Sequence, residues 1–362
     1  MKKNTFHKSF QLNGESFSSE EELLSFSKRI NNSVFSFLSD WFNTEDFIIV
    51  QTSGSTGKPK PVPLKKEFMK NSAEATGSFF ELRENTTALL CLSTDYIAGK
   101  MMLVRALTLG WKLDIVAAIS NPLKGMDKVY DFSAMVPMQL QNSLKDLHKV
   151  KKLIVGGGVV SNDLISAIQN LSTQVFATYG MTETITHIAV KSLNNCAPLR
   201  GGMTKQSIDN ETPHYKTLPN VYLSQDNRNC LIIDAPKVSE ERIVTNDVVH
   251  LISETEFEWL GRYDNVINSG GVKLHPEKIE EKLSKIILNR FFVAGVPDQK
   301  LGEKLILVIE GEKDSVISNK VRNLNELSKY ETPKEIYFVE EFVETETKKI
   351  QRKKTLAKIL PH

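Results

Sequence analysis

The chain has 362 residues, 40% of them hydrophobic and 25% charged, with a formal net charge of +2. That length allows two or three domains with a large core, and that composition excludes a disordered chain. The balance of charge excludes a global basic field for nucleic acid or an anionic membrane, and no apolar run approaches the roughly 18–20 residues of a membrane span.

The start, from Met1 to Lys8, is basic with no apolar stretch behind it, unlike a secretory signal. Residues 1–45 then read as a lead-in and one helix. Ser19 and Glu22 have the spacing of a capping box, and Leu23, Leu24, Phe26, Ile30, Val34, Phe37 and Leu38 recur at helical spacing. Residues 47–50 form a short apolar strand that runs into Thr52, Ser53, Gly54, Ser55, Thr56, Gly57, Lys58, Pro59 and Lys60. After this loop, strand-like segments at 88–92, 113–117, 134–136, 153–155 and 175–177 alternate with helical patterns at 65–80, 98–109, 138–148 and 162–170. Such alternation predicts a mostly parallel sheet covered on both faces. From 212 to 260 short β-type segments dominate, which predicts an antiparallel region. A third texture begins near 264, with helices at 276–288 and 315–327 and strands at 291–296, 304–309 and 335–339. Cys91, Cys196 and Cys230 are odd in number and widely spaced. A disulfide framework or zinc site is therefore not expected, and a reducing cytoplasm is the expected location.

Five stretches carry chemistry. In the loop at 52–60, glycines allow the backbone N–H groups to gather around phosphate oxygens, hydroxyls donate, and Lys58 and Lys60 add charge. It is not a Walker loop, because Gly54 and Gly57 are too close and Pro59 stands where a Ser or Thr belongs. Gly156, Gly157 and Gly158 follow a strand, but Ser161 stands where a dinucleotide fingerprint needs glycine. Tyr179, Gly180, Met181, Thr182 and Glu183 also follow a strand, where ligands of open α/β sheets gather. An aromatic, a hydroxyl and a carboxylate there suit a base, a phosphate and Mg2+. Asp247 suits a vicinal diol, and Arg262 suits phosphate or a ribose edge. The basic stretch at 345–352 is the fifth. Taken singly, each has a plain structural reading as a loop, a turn or a solvated face.

Their order and spacing together resemble the adenylate-forming superfamily of acyl- and aryl-CoA ligases, peptide-synthetase adenylation domains and luciferases. The resemblance runs from about residue 48 to 356. It implies an α/β fold with a large N-terminal domain at 1–263, containing parallel-rich sheets and a β subdomain, and a small mobile α+β cap at 264–362. It implies ATP, Mg2+ and coenzyme A as cofactor and co-substrates. Thr52 to Lys58 would close over the ATP phosphates, with Gly156 to Gly158 flanking adenine and substrate. Tyr179, beside Gly180, would stack on adenine. Thr182 would touch the α-phosphate and Glu183 would hold Mg2+. Asp247 would bind the ribose with Arg262 beside it, Asp264 would be the hinge, and Gly271 would approach the pantetheine tunnel. The terminal catalytic lysine maps to Lys349, although the preceding glycine of the family is Lys348 here. The ribose motif has Asn246 before Asp247, and the region before the phosphate loop is short.

Two half-reactions follow from the resemblance. A carboxylate attacks the α-phosphate to give an acyl-adenylate and pyrophosphate, and the cap then turns to admit a thiol. Within the superfamily the sequence most resembles the o-succinylbenzoate–CoA ligases of menaquinone synthesis, through residues 96–105 and 181–187. That acid has a second carboxylate, which needs a cationic or hydrogen-bonding partner. Lys100, Arg105 and His187 are the candidates. The alternatives are another aryl- or acyl-CoA ligase, an enzyme loading a carrier protein, or a non-catalytic AMP-binding module. The expected partners are a small carboxylic acid, ATP and CoA, with no nucleic acid and no membrane span, in a monomer or homodimer.

Overall fold

The computed structural model describes residues 6–51, 60–194, 214–345 and 350–360. The lead-in forms two short paired strands, β1 (Gln11–Leu12) and β2 (Glu15–Ser16), and two helices, α1 (Glu20–Ile30) and α2 (Asn32–Phe42). The single expected helix is broken at Asn31. That residue is extended, with φ −164°, and its side chain accepts from the backbone N–H groups of Ser33 and Val34. Asn31 is thus the N-cap of the second helix. The apolar period continues across the break, so spacing alone reads one helix. Ser19 caps α1 as expected, accepting from the Glu22 N–H at 3.2 Å.

β3 (Phe47–Gln51) and β4 (Pro61–Lys65) pair antiparallel, with Gln51 opposite Pro61. The hydroxyl- and glycine-rich loop therefore connects a hairpin. Thr52, Ser53, Gly54, Ser55, Thr56, Gly57 and Lys58 themselves lie outside the described residues. Next come α3 (Lys66–Phe79), β5 (Thr87–Leu90), α4 (Ile97–Leu109), β6 (Lys112–Ile115) and β7 (Tyr130–Met135). They are followed by α5 (Pro137–Asn142), β8 (Val150–Val155), α6 (Asn162–Ile168) and β9 (Gln174–Gly180). The expected helix at 138–148 is α5 and a separate 3-10 turn, Leu144–Lys149.

β10 (His187–Ser192) runs back along β9 and turns the sheet antiparallel. β11 (Tyr215–Thr217), β12 (Tyr222–Gln225), β13 (Cys230–Asp234), β14 (Ile243–Ser253) and β15 (Glu256–Arg262) continue it. The result is one 13-stranded sheet in the order β12-β13-β14-β15-β11-β10-β9-β8-β7-β5-β6-β1-β2. β5 lies between β6 and β7 and is parallel to both, so the strand order reverses beside it. Such a switch point opens a crevice at the carboxyl ends of the strands. Alternate residues of β5 enter different cores. Ala88 and Leu90 join the one that includes Trp111 and Phe132, and Leu89 joins the one with Tyr130 and Leu153. This is the burial on both faces that a parallel sheet requires.

A second sheet follows. It contains β16 (Ile267–Ser269), β17 (Val272–Leu274), β18 (Phe291–Asp298), β19 (Gly302–Glu310) and β20 (Glu335–Val339), with helices α7 (Pro276–Leu283), α8 (Ser315–Arg322) and α9 (Arg352–Ile359). Gly270 and Gly271 join β16 to β17 with φ +61° and +83°. A two-residue hairpin with both centres left-handed wants this pair. Leu305, Leu307 and Ile309 of β19 face one core, while Ile306 and Val308 face another. Among the described residues no helix is long and apolar enough to cross a membrane.

Candidate active site

The glycine and tyrosine motifs lie on neighbouring strands. Gly156, Gly157 and Gly158 leave the end of β8, and Tyr179 and Gly180 end β9. A Cβ on Gly180 would stand 2.3 Å from the Thr186 carbonyl oxygen and 2.5 Å from His187 Cα. Both are backbone, so only glycine lets β10 turn back this tightly. The turn holds Thr182, half-buried, and Glu183, exposed. Ile185 then takes φ +66° while almost fully buried. A β-branched residue pays strain in that region, of order 1–3 kcal/mol, and the packing holds it there.

Long-range pairing brings Asp247 and Arg262 to Tyr179. The phenol donates to Asp247 Oδ2 at 2.6 Å. Trp259 Nε1 donates to Asp247 Oδ1 at 3.3 Å, and Arg262 stands 3.5 Å from the same oxygen. The buried Asp247 is thus held by three groups. A carboxylate offers about four acceptor sites, so one remains for a further donor such as a sugar hydroxyl. Burial and then the Asp247 carboxylate push the Tyr179 phenol well above its ordinary range. Its ring packs edge-on against Phe257 and Tyr215, with centroids 5.1 Å and 5.9 Å away. Asp264 belongs to the same web, 3.9 Å from Arg262 and 3.4 Å from Asn246 Nδ2. Arg228 buttresses it, donating to Asn246 Oδ1 at 3.0 Å and lying 5.1 Å over the Tyr263 ring. Trp259 and Arg228 were not legible as site residues. Alternation hides them: the β14–β15 register shifts between Val248 and Val249, so Trp259 reaches the face of Asp247 three residues before Arg262, and Arg228 lies in the turn before β13.

The second cluster lies between α3, α4 and β10. Arg105 is only 1% exposed. Its Nε donates to Thr76 Oγ1 at 3.3 Å, its second amino group to His187 Nδ1 at 3.4 Å, and its first faces Met102 Sδ at 3.8 Å. A guanidinium can only donate, so His187 Nδ1 accepts and the ring proton sits on Nε2. That proton points to Thr76 Oγ1 at 3.4 Å, and Thr76 passes its own to the Ser72 carbonyl at 3.0 Å. Burial, reinforced by Arg105, holds His187 well below its usual value and hence neutral. Burial alone pushes Arg105 down to about 9, so it stays charged at neutral pH. Among the described residues no carboxylate pairs with it. His187 also lines a cavity of about 220 Å3 with Asn71, Ser72, Ser78 and Asn220.

The structure therefore brings Arg105 and His187 together and adds Thr76, which the sequence did not single out. It does not bring Lys100 to them. The Lys100 ammonium donates to the Thr94 carbonyl at 2.5 Å and lies 5.5 Å over the Phe37 ring. Gly271 is at the tip of the β16–β17 turn. Lys349 lies outside the described residues, and Glu344 and Ile350 bridge on either side of it. Among the described residues no three acidic, histidine or cysteine side chains form a metal cage. A lone exposed carboxylate, Glu183, does suit Mg2+, which usually takes one or two carboxylates plus substrate phosphates.

Comparisons with known proteins show what the whole chain is similar to. A 2-succinylbenzoate–CoA ligase from Bacillus cereus is 26% identical over 340 residues, covering 85% of this chain and 69% of its own. The o-succinylbenzoate coenzyme A synthetase of Bacillus subtilis, solved with ATP and magnesium ion, shares the fold with a TM-score of 0.69 at 18% identity, over 93% of this chain and 82% of its own. An acyl-CoA synthetase (AMP-forming)/AMP-acid ligase II-like protein from Dyadobacter fermentans is 36% identical over 94% of this chain and 98% of its own, with a TM-score of 0.60. The profile described as AMP-binding enzyme matches residues 8–213, from the lead-in through the turn that carries Thr182 and Glu183. With more than half its length matched by that profile, the chain belongs to the AMP-binding enzyme family.

Proposed function

We propose that this chain is an AMP-forming acid–CoA ligase whose acid is o-succinylbenzoate. The observation that carries the substrate is Arg105. A buried guanidinium with only neutral partners is costly, and an anion delivered by the ligand offsets that cost. An acid with a second carboxylate supplies that anion, and His187 links the guanidinium to the adjoining cavity. The succinylbenzoate named in the Bacillus cereus relative supports the same choice.

In this reading the acid's reacting carboxylate lies at the carboxyl ends of β8 and β9. Asp247 and Arg262 hold the ribose, and Thr182 and the loop at 52–58 orient the phosphates. Mg2+, when bound, supplies neutralising charge to those phosphates, with Glu183 as its protein ligand. Lys349 stabilises charge growing on the attacked phosphorus. This is catalysis by positioning and by electrostatic stabilisation. Residues 264–362 then turn about Asp264, withdraw Lys349 and let the CoA thiol attack the mixed anhydride.

The test is pyrophosphate release with ATP, Mg2+ and a panel of mono- and dicarboxylic acids, with and without CoA. Turnover specific to o-succinylbenzoate and completed by CoA is expected. Release with another acid replaces the substrate and keeps the ligase. Silence across the panel, with AMP still binding, overturns the activity.

A further inference from the structure

The two sheets meet along a polar seam. The apolar clusters of the first sheet use residues up to Trp259, and those of the second begin at Ile267. Among the described residues no apolar cluster spans the gap, so the seam resembles a reversible interface. Its contacts come largely from α7. Asn162 Nδ2 donates to the Glu281 carbonyl and to Ser284 Oγ, both at 2.9 Å. Lys278 pairs with Glu258, but both are partly exposed and such pairs are worth little.

Glu277 is different. Its Oε1 accepts from Asn265 Nδ2 at 2.6 Å, directly beside Asp264. Its other oxygen occupies the space that Gly261 leaves on β15. A Cβ on Gly261 would fall 2.2 Å from Glu277 Oε2, and Gly261 has φ +144°. The carboxylate sits in the first turn of α7, where the helix dipole favours it. Yet Glu277 Oε2 and the nearby His275 Nδ1 are buried without a hydrogen bond. An unsatisfied buried atom costs free energy, so this docking is held only moderately. At the same time the Gly270–Gly271 turn stands clear, with no described atom within 4 Å of a Cβ built on Gly271.

We infer that Glu277 is a positioning residue, a releasable latch that seats α7 against Gly261 and Asn265 and fixes the orientation of the second sheet about Asp264. The reaction step it biases rests on the two-step reading above; the latch itself rests only on these contacts. The full chain is tested as wild type, Glu277→Ala and Glu277→Gln, the last keeping the shape and an acceptor for Asn265. Without substrates, hydrogen exchange at the Val266 amide and tryptic cleavage after the half-exposed Arg262 report opening. Glu277→Ala is expected to speed both about tenfold, with Glu277→Gln near wild type and the melting temperature of the first sheet unmoved. Glu277→Ala should also change the ratio of pyrophosphate release to thioester formation at least threefold. Unchanged exchange and cleavage in Glu277→Ala overturn the latch, and so does a Glu277→Gln variant as open as the alanine. If wild type releases no pyrophosphate, the ligase reading falls while the exchange result still decides the latch.

Discussion

Arg105 shows what a single buried charge does to a site. Its partners, Thr76, His187 and Met102, are neutral, and only burial acts on its charge. Even a buried ion pair can often be replaced by apolar residues of similar volume at no cost or with a gain of about 1–4 kcal/mol, and a buried charge without a counter-ion has less attraction to lose. Arg105→Met is therefore expected to raise the melting temperature of the ligand-free protein by a few degrees. The same change should raise the KM for the acid at least tenfold and leave the KM for ATP near wild type. Thermal melts and steady-state kinetics check both, and an unchanged acid KM would remove Arg105 from the acid site. The hydrogen-bond chain from Arg105 through His187 to Thr76 and Ser72 also assigns the tautomer, with a neutral His187 in the cavity wall carrying its proton on Nε2.

At the scale of elements, the turn from β9 to β10 places Tyr179, Thr182, Glu183 and His187 within a few residues of one another. Gly180 makes that turn possible, because a methyl group there would strike backbone on β10 that cannot swing aside. Gly180→Ala is expected to cost about 3 kcal/mol, the upper range for overpacking. Gly158 offers a contrast, since a Cβ there would meet Pro137 at an ordinary 3.5 Å. Gly158→Ala is expected to leave stability within about 0.5 kcal/mol. Urea denaturation of the two variants distinguishes a structural glycine from one that keeps space for a ligand.

Across the whole molecule, the second sheet closes on its own C-terminal helix through a half-buried pair. Glu280 accepts from Arg352 at 2.9 Å and from the Val293 N–H at 2.8 Å. Burial outweighs Arg352 and raises the Glu280 carboxyl from its ordinary 4.5 to about 7. A carboxyl raised in the folded state contributes stability that is complete below pH 4.5 and is lost as pH rises through about 7. Wild type is thus expected to lose roughly 3 kcal/mol from this group between those limits. Glu280→Gln should flatten that slope. Denaturant midpoints at pH 4.5 and 8 for both proteins measure it, and parallel curves would count against the shift.

Local order set much of this protein by itself. Caps such as Ser19, alternating apolar strands and five spaced motifs depend on neighbours in the chain, so the α/β character and the family were legible from residues alone. Asn31 marks the limit, because an apolar period runs through the break that its own side chain makes. Tertiary structure alone decided that Trp259 and Tyr179 meet on Asp247, that Thr76 completes the Arg105–His187 cluster, and that Lys100 turns away from it. It also decided that Glu277 reaches Gly261. Those contacts join segments far apart in sequence, and they exist only after sheet order and register are closed. No local period encodes such pairings, since each partner satisfies its own element equally well without the other.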